Sequence, residues 1–326
     1  MSATQTFPAE LPTSLDPVEI SLPQQHRLAE VTFRHSGWAY ARRRVLHALL
    51  AAGVPDARVD RFANCGAYAW VLRSRRDPET LRVAASFCHD RLCRPCQRAR
   101  ANVIAHNLLR HQTTARLRFI TLTIRHNLLP LALQLQKLTH SFRRLRRSQC
   151  WRKATRGGVA FIEIKRNSAD THWHPHLHVI HEGSYIPHRD LRDTWHRLTR
   201  DSYVVHLRTV TNPTTVARYV TTYANKPFDP SLTNNPDHLL AVVHALRNRR
   251  TIFTFGSWRT VSLRATTRDY DDWEPVQPLY EVLRDADHGE PEALRIIALL
   301  RRATPCMPQT PTPTDRSPPN QPYSDS

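Results

Sequence analysis

The chain has 326 residues, with 47 Lys and Arg against 28 Asp and Glu, giving a formal charge of +19 and a pI near 10.6. That length suits one large domain or two modest ones. No apolar run approaches the roughly 20 residues of a membrane span and no signal-peptide pattern opens the sequence, so a soluble, cytoplasmic protein is expected. The charge points to a polyanionic partner, for which nucleic acid is the usual candidate. Only four of the 47 basic residues are Lys, which suggests GC-rich coding and draws attention to Lys137, Lys153, Lys165 and Lys226.

Residues 1–26 carry Pro8, Pro12, Pro17 and Pro23 with few apolar runs and read as a disordered tail. From His26 to about Ala52 the apolar spacing is helical, with Trp38, Tyr40, Val45, Leu46, Leu49 and Leu50 as core candidates. Four cysteines follow, Cys65, Cys88, Cys93 and Cys96, spaced C-x22-C-x4-C-x2-C. A C-R-P-C knuckle sets two thiolates on a tight turn fit for tetrahedral zinc, and four ligands leave no open position, so the predicted Zn2+ is structural. His89 is an alternative to Cys65 as fourth ligand, and a redox C-x-x-C is the competing reading. Gln97–His111 then reads as a basic helix with Val103, Ile104, Leu108 and Leu109 on one stripe.

Arg118–Arg125 (RFITLTIR) alternates like a strand, and Leu131–Arg147 is an amphipathic helix. That helix ends in a basic run, and Arg143, Arg144, Arg146 and Arg147 are candidate DNA contacts. Gly157–Arg166 (GGVAFIEIKR) and Thr171–Ile180 (THWHPHLHVI) form a predicted hairpin turning between Ala169 and Asp170. In this register Glu163 faces His176, Phe161 faces His178 and Lys165 faces His174, while Ile162, Ile164, Leu177 and Val179 share the core side. A slip of one residue would bury Glu163 instead. His176 and His178, with Glu163, then make a mixed nitrogen and oxygen set suited to a divalent ion.

Beyond the hairpin, Asp190–Arg200 is a predicted helix and Ser202–Val210 a strand. Thr214–Lys226 (TTVARYVTTYANK) is a predicted helix closed by Pro227, with Tyr219, Tyr223 and Lys226 at i, i+4 and i+7 along one edge. Such phenols, beside a cation, are candidate nucleophiles toward phosphate. His238–Arg250 reads as a helix, Thr251–Leu263 as a strand around Phe253, Phe255 and Trp258, and Tyr280–Arg302 as mostly helical. From Ala303 onward, seven prolines in 24 residues mark a second disordered tail.

The order FITLTIR, HPHLHVI, YVTTYANK resembles the three motifs of HUH endonucleases, specifically rolling-circle replication initiators of plasmids and small phages. The match rests on His176-Leu177-His178 and on two tyrosines followed by Lys226, and the cysteine cluster resembles the zinc segment of plasmid initiators. The resemblance implies an α+β fold in which an antiparallel five-stranded sheet is flanked by helices, with an N-terminal helical zinc-binding segment. It implies a zinc-binding segment over 27–112 and an endonuclease domain over 113–302, between tails 1–26 and 303–326. It also implies Mg2+ or Mn2+ at the nuclease site, a 5′-phosphotyrosine intermediate on single-stranded or melted origin DNA, and a host helicase as partner. Single-tyrosine initiators place Glu four residues before the nucleophile; here those positions hold Thr215 and Tyr219, which favours a two-tyrosine scheme. Some relatives carry Lys between the tyrosines, where this chain has Thr222. A rolling-circle transposase shares these motifs, and a zinc-stabilised DNA-binding regulator without catalysis is a further alternative. No helical H-E-x-x-H supports a hydrolytic zinc enzyme.

Overall fold

A computed structural model of the chain describes residues 39–111, 117–125, 127–166, 172–210, 220, 230–264 and 272–303. The chain divides into two compact units, one built from Ala69–Ala84 and the chain from Asp272, the other from Arg34–Tyr68 and Ala85–Asp271. In chain order, helices α1 (Ala39–Ala51) and α2 (Asp56–Ala63) precede strands β1 (Ala67–Ser74) and β2 (Leu81–Ser86). Helix α3 (Arg94–His111), strand β3 (Leu117–Thr123) and helices α4 (Leu131–Leu145) and α5 (Gln149–Ala154) follow. Next come the hairpin strands β4 (Thr155–Arg166) and β5 (Trp173–Gly183), helix α6 (His188–Thr199) and strand β6 (Val205–Val210). The chain continues through α7 (Pro236–Leu246), β7 (Ile252–Gly256), β8 (Trp273–Pro278), α8 (Leu279–Asp287) and α9 (Pro291–Ala303).

The larger unit is organised by a five-stranded antiparallel sheet in the order β6-β3-β5-β4-β7, flanked by helices. The expected α+β architecture and its sheet are therefore present, with β5 at the centre. The hairpin pairs Glu163 with His176, Phe161 with His178 and Lys165 with His174, the register that the apolar alternation predicts. Residues 157–164 of β4 are buried because apolar layers cover both faces of the sheet. On one face Ile120, Leu122, Ile162, Ile164, Leu177 and Val179 meet Leu135, Leu138 and Phe142 of α4, Trp195 of α6 and Val242 of α7. On the other, Phe119, Val159, Phe161 and Ile180 cluster with Ala101, Ile104, Ala105 and Leu108 of α3 and with Val220, Trp258 and Val261.

The predicted strand over Thr251–Leu263 stops at Gly256. This glycine has φ +61°, and a Cβ there would lie 2.1 Å from the Arg156 carbonyl oxygen, so only glycine lets the chain turn at such close range. A 3₁₀ turn, Ser257–Thr260, then sends Trp258 into the apolar cluster, where its indole N–H donates to Glu182 at 3.0 Å. In α1 the inward stripe is Val45, Ala48 and Leu49, whereas Tyr40 and Leu50, expected in the core, are 60% and 54% exposed. Tyr40 instead lies under the Arg44 guanidinium, 4.3 Å from its ring centroid. Trp38 and both predicted tails up to residue 26 and beyond Ala303 lie outside the described residues.

The smaller unit is a three-stranded sheet in the order β2-β1-β8 with α8 and α9, closed over Val71, Leu81, Leu279, Val282, Ile296 and Leu300. Arg82 stacks over Trp273 at 4.0 Å. Sequence reading does not find this sheet, since Pro275 and Pro278 break the pattern of β8. They are tolerated because β8 is an edge strand, and the register shifts between Val71 and Leu72 where Pro275 pairs.

Candidate metal and nucleic-acid site

Cross-strand pairing sets Glu163, His176 and His178 on one face of the central hairpin. Nε2–H of His178 donates to the Glu163 carboxylate at 2.9 Å, and both groups are buried. With Nε2 donating, Nδ1 of His178 accepts from the Thr121 hydroxyl at 3.1 Å. His176 sets Nδ1 3.3 Å from the Thr123 hydroxyl and stacks on His178 with ring centroids 6.1 Å apart. Phe119 stacks against His178 from β3 at 5.7 Å, and the Lys165 ammonium lies 3.4 Å from the Glu163 carboxylate. His174 extends the column of imidazoles, 6.4 Å from His176. Thr121, Thr123 and Phe119 are absent from the sequence reading; their signal is the alternation in RFITLTIR, usable only once β3 is known to pair with β5.

Burial lowers the His176 pKa to about 4, with the neighbouring His178 adding to the effect, and burial also lowers that of His178 despite its bond to Glu163. Burial works to raise Glu163, but the bond from His178 and the nearby Lys165 charge outweigh it and hold the carboxyl below its ordinary value. At neutral pH the trio is one carboxylate and two neutral imidazoles, which need lose no proton to become ligands. Their chemistry fits a divalent ion of mixed oxygen and nitrogen preference. In the present arrangement the His178–Glu163 bond joins two of the prospective donors directly.

Among the described residues, the four cysteines alone bring three or more such donor atoms within 4.8 Å of one another. Their sulfurs stand 3.5 Å (Cys65–Cys96), 3.6 Å (Cys88–Cys96) and 3.8 Å (Cys65–Cys93) apart, and none of the four is joined in a disulfide. Four sulfurs bound tetrahedrally at zinc lie about 3.8 Å from one another, given a metal–sulfur bond near 2.3 Å. Cys65 thus completes the group that could hold a metal ion, and His89 is exposed outside it. The turn is held by Asp90, which accepts from the Leu92 N–H at 2.8 Å and from Arg58 at 2.6 Å, while His89 takes φ +51°. Bonds among the crowded sulfurs, then burial, push the Cys93 thiol up. Cys96 lies in the first turn of α3, so the cluster anchors the helix that covers the histidine face.

Arg143, Arg144 and Arg147 are exposed on and just beyond α4, and Arg146 lies over Phe142 at 5.3 Å and Phe255 at 5.5 Å. Helix α4 packs on the face opposite the histidines, so the structure does not bring this basic run to Glu163, His176 and His178. Tyr219, Tyr223 and Lys226 lie outside the described residues. Val220, between the tyrosines in sequence, is helical and fully buried in the cluster with Phe119, Phe161 and Ile180, on the histidine-bearing face. No helix among the described residues is long and apolar enough to cross a membrane.

The chain is similar to proteins named Protein rep. With the one from Streptococcus pneumoniae serotype 2, strain D39, it shares 28% identity over 138 residues, 39% of this chain and 42% of that one. With those of Lactiplantibacillus plantarum and Bacillus amyloliquefaciens it shares 29% over 162 and 175 residues, 43% and 47% of this chain and 51% and 50% of theirs. The aligned part spans about half the length of these relatives or less. No solved structure matches. A family model described as "Replication protein" matches residues 80–293, more than half of the chain and every strand of the five-stranded sheet. In agreement with the resemblance read from its motifs, the chain belongs to this replication-protein family.

Proposed function

We propose that the protein initiates rolling-circle replication of a plasmid by nicking its origin through a covalent phosphotyrosine. The observation that carries this reading is the pairing of Glu163 with His176 across β4 and β5, with His178 bonded to the same carboxylate. Glu163, His176 and His178 would hold Mg2+ or Mn2+, which when bound polarises the scissile phosphate. The Thr121 and Thr123 hydroxyls can donate to Nδ1 or accept from it, so they support each imidazole both in its present bonding and with Nε2 turned to a ligand role.

Tyr219 or Tyr223 attacks the phosphorus. The phenol gives up its proton, a tyrosine–phosphate bond forms, the bond to the 3′ oxygen breaks, and that oxygen takes up a proton. Lys226 offsets charge on the phosphate during the exchange. The 5′-phosphotyrosine keeps the phosphodiester energy, so the freed 3′-hydroxyl can later rejoin, and a second tyrosine permits a second transfer. Burial of Val220 against the histidine face supports this assignment, because Val220 directly follows Tyr219 in the sequence. Zn2+ at Cys65, Cys88, Cys93 and Cys96 fills a structural role.

In this reading residues 113–302 carry the nuclease, and Arg143, Arg144, Arg146 and Arg147 hold DNA away from the reacting phosphate. A host helicase unwinds the nicked cytoplasmic plasmid. The test is incubation of origin-bearing single strands with Mg2+, Mn2+ or chelator. Cleavage is expected only with metal, leaving protein on the 5′ end; equal cleavage in chelator, or a free 5′ phosphate, overturns the mechanism.

A further inference from the structure

A cavity of about 520 Å³ opens beside the cysteine cluster on the side of α3 away from the sheet. Phe87, Ala99, Val103 and Leu263 form its apolar wall, and Arg100 and Arg264 also line it. Among its lining residues none is acidic. Arg100 is partly buried, and its proton affinity is lowered first by that burial and then by the like charge of Arg264. The partly desolvated Arg100 guanidinium and the exposed Arg264 guanidinium repel one another, and an anion between them relieves the repulsion.

The wall is held in place. Asn107, two turns along α3 from Arg100, donates to the carbonyls of Ser262 at 2.9 Å and Arg264 at 3.0 Å. Leu263 and Arg264 are thereby fixed over the helix, while Phe87 comes from the segment entering the cysteine turn.

We propose that this cavity takes one nucleotide of single-stranded DNA, its base against Phe87 and Leu263 and its phosphate between Arg100 and Arg264. The volume lies in the range of small-ligand pockets, and an apolar wall beside paired cations is the arrangement that sequence-tolerant single-strand sites use. A base stacked in a duplex could not enter, so the occupant is an unpaired nucleotide. The inference rests on the reading of this protein as one that acts on single-stranded DNA.

Fluorescence anisotropy of a labelled oligothymidylate titrated with the full chain tests it. Arg100→Gln with Arg264→Gln should weaken binding about 10-fold and flatten the log K against log salt slope by about 1.4, the value for two lost phosphate contacts on a single strand. Phe87→Leu should weaken binding about fivefold with the slope unchanged. Removing equal charge from the smaller unit by Arg301→Gln with Arg302→Gln should change neither. Circular dichroism checks folding, and the exposed Arg264→Gln alone serves should the double variant misfold. Wild-type affinity in the cavity variants overturns the site while leaving the DNA reading intact, and so does an equal loss in the control. Displacement of the oligonucleotide by dTMP as effectively as by unlabelled strand would make this a free-nucleotide site and overturn the proposal. Failure of the wild-type chain to bind oligothymidylate would sink the DNA reading itself.

Discussion

The hydroxyls of Thr121 and Thr123 lie 3.1 and 3.3 Å from the Nδ1 atoms of His178 and His176. Two side chains on β3 thus orient both rings from behind, and their loss should be felt as weaker metal binding with the fold intact. Thr121→Val with Thr123→Val is expected to lower Mn2+ affinity at least about 10-fold, measured by electron paramagnetic resonance titration; unchanged affinity would show that the hydroxyls do not position the rings. At this scale much of the site is legible in the sequence. The predicted turn between Ala169 and Asp170 sets the register, and the alternation of Ile162, Ile164, Leu177 and Val179 excludes a slip of one residue. That register places Glu163 opposite His176. The threonines are illegible locally because their role exists only through a partner strand some 50 residues away, as the separation of Thr123 from His176 shows.

Among the elements, α3 carries most of the coupling, since its first turn holds Cys96 and its inner side covers Phe119, Phe161 and Ile180. Cys93→Ser is therefore expected to lose bound zinc and to lower the melting temperature by about 5 °C or more, the scale of a 2 kcal/mol loss. Normal metal content by atomic absorption would rule out the four-cysteine site. The hairpin makes a separate prediction. His181 of β5 is fully buried, and burial pushes its pKa down to about 4, from 6.5 for a free imidazole. The unfolded chain binds that proton first as pH falls, so the stability is intact above about 6.5 and drops as pH approaches 4. The loss is worth about 3 kcal/mol for this residue. His181→Leu should flatten urea-melt stability between those limits, and an unchanged slope would contradict the assignment. Helices and the central strands follow from periodicity, whereas the β2-β1-β8 sheet does not. β1 and β8 join residues about 200 positions apart, such as Leu72 and Pro275, and no local pattern announces that pairing.

For the whole molecule, an excess of 19 positive charges points to a polyanionic partner, not to where it lies. The sequence lines up Arg143, Arg144 and Arg147, yet which side of the sheet they reach depends on how α4 packs, and it packs opposite the histidines. Replacing these three by Gln is therefore expected to weaken single-strand binding and flatten its salt slope by about 2, without moving the cleavage position. A shifted cleavage position would place these arginines at the reacting strand. What joins charge, metal donors and tyrosines into one account is the proposed covalent bond between protein and DNA. Mass spectrometry of the peptide left on a cleaved origin strand reads that bond. The expected peptide carries the nucleotide on Tyr219 or Tyr223, and the adduct disappears in chelator and in His176→Ala; attachment at any other residue, or an adduct indifferent to both treatments, would contradict it.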